Sequence, residues 1–157
     1  KEAVVVRDLF DPLIAEAVRA QPRRWLPLTR AVRGLIAAMG DEAAHEEMSS
    51  WEFHERVRLA ARTPSLTAAV RAASQETERA IAEALIVPGT DDAAARAAAG
   101  AVMGAASSLL LAWAEGSSFP ARATTAAPDT ASGTATCATG DAATALSRGL
   151  LTLLGES

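Results

Sequence analysis

There is no tyrosine in this chain of 157 residues, and phenylalanine and tryptophan occur only three times each. Aromatic and β-branched side chains are the residues that fill strands, so their scarcity argues against a sheet. Cysteine occurs once, which excludes an internal disulfide and fits a reducing, cytoplasmic setting. Lysine occurs once among 15 basic residues, and the net charge is −4, so an extended phosphate-binding face is not expected on this chain. No uninterrupted apolar run reaches the roughly 18 residues that a membrane span requires, and no secretory signal pattern is present. There is no Gly-x-Ser-x-Gly elbow and no phosphate-cradling glycine loop, which removes the usual frames for acyl and phosphoryl transfer.

What is abundant is alanine, about a quarter of the chain. Alanine is the strongest helix former, and its small side chain lets helices approach closely. The composition predicts an all-α protein, and the length suits one domain spanning residues 1–157.

Helical punctuation is legible along most of the chain. A first helix is expected over about 2–20, kinked where Asp11 and Pro12 form an N-cap and N1 pair inside it. Pro27 opens a second helix that ends at Met39 before Gly40. The acidic stretch 41–47 reads as a loop or a short helical turn. A third helix is expected from about Ser49 to Arg62, with Phe53, Val57, Ala60 and Ala61 on its apolar stripe. Thr63 and Pro64 then start a fourth helix, about 64–86, whose apolar face runs through Leu66, Val70, Ala73, Thr77, Ala80, Ile81 and Ala84.

Thr90 is the expected cap of a fifth helix running to about Glu115. One face of it, Ala95, Ala99, Val102, Ala106, Leu109 and Trp113, reads as core. A second face, Gly100, Gly104, Ser107 and Leu111, is made mostly of small residues. Residues 117–140 are rich in Thr, Ala, Ser, Gly and Pro and read as a long flexible loop. A leucine-rich last helix, about 141–154, completes six.

This order of elements resembles the C-terminal, effector-binding and dimerisation domain of TetR-family transcriptional regulators. KEAVV (1–5) is similar to the family's junction between its DNA-binding part and the fourth helix. RVRLAARTPSLTAAVRAASQETERAIAEAL (56–85) resembles the central helices of the subgroup with acyl-CoA-like ligand domains, and AAARAAAGAVMGAASSLLLAWAE (93–115) resembles the dimerisation helix. The resemblance implies a bundle of about six helices that dimerises through its last two. It also implies a cavity for a small, largely apolar effector and control of operator binding by the intact repressor. No helix-turn-helix is present, so operator DNA is expected as a partner only through a DNA-binding segment encoded ahead of Lys1.

Within that frame, residues can be nominated for each role. Thr77 is the polar residue centred on an apolar stripe, where it either contacts a ligand or bonds a carbonyl one turn back. Trp51, His54 and Arg58 share an edge of the third helix and could meet an aromatic or anionic group, with Val57 beside them. Val70, Met103, Leu110 and Trp113 complete the candidate ligand set, with core packing the default reading of the last three. The candidate dimer interface is Gly100, Gly104, Ser107 and Leu111 with Leu146, Leu150 and Leu153, the alternative being that the last helix packs on the fifth within one chain.

No cofactor, metal or catalysis is expected. The Glu42-x-x-His45 spacing occurs once where a di-iron bundle needs it twice, and Cys137 has no basic neighbour to activate it. The competing reading is a helical adaptor that dimerises and senses nothing.

Overall fold

In the computed structural model, residues 11–116 and 142–156 are described, and they form seven α-helices with no strand among them. These are α1 (Asp11–Ala20), α2 (Pro27–Met39), α3 (Glu42–Ser49), α4 (Trp51–Arg62), α5 (Pro64–Leu85), α6 (Asp92–Ala114) and α7 (Ala142–Thr152). The expected kink at Pro12, the KEAVV junction, the loop 117–140 and Cys137 fall wholly or partly outside the described residues.

Local chemistry accounts for the boundaries. Pro27 occupies the first turn of α2, and the Gly40 N–H donates to Ile36 and Ala37 carbonyls at its end. The acidic stretch is a helix in its own right, which raises the count from six to seven: the Asp41 carboxylate accepts from the Ala43 and Ala44 N–H groups. Ser50 caps α4 by accepting from the Phe53 N–H at 3.1 Å. Two capping expectations are corrected. Asp91, not Thr90, caps α6, accepting from the Ala94 N–H at 3.1 Å. Thr63 makes no side-chain cap; instead Thr67 Oγ1 donates to the Ala60 carbonyl at 2.6 Å and stitches the α4–α5 corner.

The core lies where α1, α2, α6, α7 and the C-terminal half of α5 meet. Val18, Val32, Ile81, Leu85, Val102, Leu146 and Leu150 are buried there. Each such aliphatic side chain contributes about 1.5–3 kcal/mol when fully removed from water. Small residues set the spacing. Gly34 of α2 lies directly against Val18 of α1, and Gly149 of α7 lies against Leu109 of α6. A Cβ at Gly34 would overlap the Val18 backbone, so glycine is required there by close approach of two helices. At Gly149 it would meet the end of the Leu109 side chain, which can shift.

The other end of the bundle is built differently. Only Ala60 is buried in α4 and only Ala44 in α3, while every buried residue of α5 lies at or after Thr77. The fold therefore has one tightly packed end and one end whose apolar side chains, Phe53, Val57, Leu66 and Leu110 among them, are only half-buried.

Candidate functional site

Of the nine side chains nominated for a ligand, the structure brings two into direct contact. The His54 ring lies 4.4 Å from Trp113, centroid to centroid, tilted by 49°. His54 Nδ1 is 2.7 Å from the Ser50 carbonyl, which orients the imidazole across the α4–α6 gap. Trp113 is buried and Thr77 is fully buried. Met103 and Leu110 are half-buried and pack against the core edge.

Three nominated residues sit elsewhere. Trp51 is 72% exposed at the start of α4, and Val70 is 38% exposed on α5. Arg58 faces solvent and pairs with Glu55 at 3.3 Å. None of the three faces the bundle interior, because no helix among the described residues packs over the first half of α5 or the outer face of α4. The periodicity that nominated Val70 is real, but no described residue covers the face it marks.

The nominated dimer residues divide as well. Leu146 and Leu150 are buried in their own protomer's core, which removes them from any surface. Gly100 lies against the Glu78 carboxylate of the same chain, 3.2 Å from where a Cβ would stand. Gly104 has nothing within 4 Å of that position among the described residues, and Leu153 is exposed. Ser107 and Leu111 are half-buried beside Gly104 on α6.

α6 also corrects the expectation about apolar runs, since its 23 residues are long and apolar enough to cross a membrane by length and composition. The core helix of a bundle passes the same test, and α6 places Ala95, Ala99, Val102 and Ala106 in the core. Its other faces matter more here. Only 22% of its most apolar window is fully buried; most of the rest is half-buried, and Ala101, Gly104 and Ser108 are exposed among the described residues.

Sequence reasoning missed Arg30, the largest fully buried side chain. Its Nη1 donates to the Leu85 carbonyl at 3.0 Å and Nη2 reaches toward the Ala84 carbonyl at 3.4 Å, so the guanidinium caps the C-terminal end of α5. A cation there meets the negative end of the helix dipole. Burial, with like-charge repulsion from Arg23 added, lowers its pKa, but an arginine stays protonated at any physiological pH. Its Nε is buried without a partner. The one available signal was that Arg30 stands a turn before Gly34 and two before Ala38, on the line of small residues where α2 is approached most closely.

Two open grooves mark the surface. One, of about 800 Å³, runs between α1 and α5 past Pro12, Glu16, Arg19 and Ala80. The other, of about 570 Å³, lies at the α4–α5 corner. Neither is lined by a residue of the nominated ligand set.

An all-helical bundle of this kind is the fold class of the C-terminal domain of TetR-type regulators. The family model that matches is described as the MftR C-terminal domain; it covers residues 26–127, about two thirds of the sequence, and the chain belongs to that family. No curated protein and no solved structure matches the chain.

Proposed function

We propose that this chain is the effector-sensing and dimerising part of a cytoplasmic TetR-type repressor and not an enzyme. A small, largely apolar ligand would bind between α4, α5 and α6, around His54, Val57, Thr77, Met103, Leu110 and Trp113. The observation that carries this reading is the uneven packing of the bundle. The half-buried side chains of α4 and the first half of α5 lose little when the helices part, and a ligand could complete their burial. The tight end, held by Gly34 and Arg30, would pass such a movement on to α1. Signalling is then a shift between two helix arrangements, and the ligand must bind one of them better. In the intact regulator, that choice would set affinity for operator DNA.

A panel of apolar small molecules tests this by thermal shift and by tryptophan fluorescence. A ligand at 100 times its Kd raises stability by about 2.7 kcal/mol, and a true one also perturbs emission from Trp113 beside His54. Stabilisation without that spectral change would move the site elsewhere. A chain that dimerises but takes no ligand would be the adaptor instead.

The dimer face we infer is the uncovered side of α6, with Gly104, Ser107 and Leu111, next to Leu153. Gly104→Arg adds a long cation where no other described residue lies within 4 Å, so the protomer should keep its helical content. In an isologous interface the new charge meets its own copy across the two-fold axis. Sedimentation should therefore change from dimer to monomer at tens of micromolar protein. An unchanged dimer would place the interface elsewhere.

A further inference from the structure

The segment 56–75 contains four arginines and no acidic residue, in a chain whose net charge is negative. Two of the four are compensated from outside it: Arg56 pairs with Glu47 at 2.7 Å and Arg58 with Glu55 at 3.3 Å. Arg62 and Arg71 have no ion pair among the described residues. Helical spacing offers them none. Three and four residues from Arg71 stand Thr67, Ala68, Ser74 and Gln75, and before Arg62 stand Arg58 and Leu59.

Both unpaired guanidinium-bearing residues line the same groove, the one of about 570 Å³ at the α4–α5 corner. Its length along α5, from Pro64 to Gln75, is about 16 Å at 1.5 Å per residue. The rest of the lining is of two kinds. Ala61, Pro64, Ala68 and Ala72 form an apolar floor, and Gln75 supplies an amide at the far end. Thr67 is held by its bonds to the Ala60 and Thr63 carbonyls, which fix the corner.

Two cations lining one concavity attract an anion placed there, each adding to the pull of the other. Guanidinium groups hold carboxylate and phosphate oxygens by paired N–H donors. The alanine-lined floor offers apolar surface to the body of such a ligand.

We propose that this groove binds a small amphiphilic anion, with Arg62 and Arg71 holding its carboxylate or phosphate group and Ala61, Ala68 and Ala72 covering its apolar body. The site is separate from the interior effector site, with which it shares no residue, so either can fail without the other. Because the groove sits on the α4–α5 corner, an occupant would bridge the end of α4 to the second and third turns of α5.

The test is titration of the whole chain with octyl phosphate and with octanoate, each below its micelle concentration, followed by calorimetry and by amide chemical shifts. Octanol is the uncharged control with the same tail. The expected result is that one or both anions bind about tenfold more tightly than octanol, weakening as salt is raised. The tighter of the two identifies the head group. Shifts should centre on residues 61–75, and Arg62→Gln with Arg71→Gln should abolish the preference for an anion while leaving helical content unchanged.

Equal binding of octanol, shifts centred on Trp113, or an unaffected double variant would each overturn the assignment. So would a change in the sedimentation mass of the double variant, because the arginines would then serve contact between copies.

Discussion

Replacing Gly34 with alanine should destabilise the protein by about 2 kcal/mol, although alanine is the better helix former. Two effects oppose each other. Alanine in a helix interior gains about 1 kcal/mol over glycine. Against this, the new Cβ would stand 2.5 Å from Val18 Cγ2, 2.6 Å from Val18 Cα and 2.9 Å from Val18 N. Overpacking a core typically costs about 1–3 kcal/mol and occasionally more. The upper end applies here because two of the three atoms are backbone, so no rotamer change relieves the overlap and α1 must move away from α2. The loss should lower Tm by roughly 4–8 °C for a chain of this size. Trimming the neighbour, in the double variant Gly34→Ala with Val18→Ala, should not restore stability, since Val18 Cα and N remain in place. Urea unfolding of the two variants decides it. Wild-type stability in Gly34→Ala would mean that the helices can separate freely.

The second large effect is expected at Arg30. Arg30→Ala should lose about 3 kcal/mol, combining the volume removed from the core with the orphaned Leu85 and Ala84 carbonyls. Arg30→Met separates the two contributions. Methionine restores most of the packing and removes a charge that is buried without a carboxylate partner among the described residues, but it donates nothing to the end of α5. A loss of about 1 kcal/mol is expected for it. If Arg30→Met is more stable than the wild type, the cost of desolvating the guanidinium exceeds the value of its hydrogen bonds. Hydrogen exchange at the α5–α6 turn adds a local readout, because protection around Ile86 should fall in both variants if Arg30 anchors that helix end.

These two positions also show how far the sequence could be read. α2 was legible because Pro27 starts it and Gly40 stops it, and α5 because Pro64 opens a regular amphipathic run. α3 was ambiguous because its eight residues carry little apolar pattern, and its existence rests on the Asp41 cap. The second face of α6 was visible as a row of small residues, and the structure leaves Gly104 of that row open.

For the candidate site, burial followed the helix stripes at some positions and not at others. Thr77 and Trp113 are buried as their stripes required, and His54 finds Trp113 across the helix gap. Trp51 and Val70 lie on stripes of the same quality and are exposed. Periodicity reports which face of a helix is apolar; it cannot report whether another helix arrives to cover it.

The sequence by itself determined the helical class, most helix boundaries and the family resemblance, because these rest on interactions within a few residues: propensity, capping and 3.6-residue periodicity. Only the tertiary structure decided that Leu146 and Leu150 close their own core, that Arg30 caps a helix 54 residues away, and that Arg62 and Arg71 share a groove. Each of those depends on which helix faces which across the bundle, and local spacing carries no record of that choice.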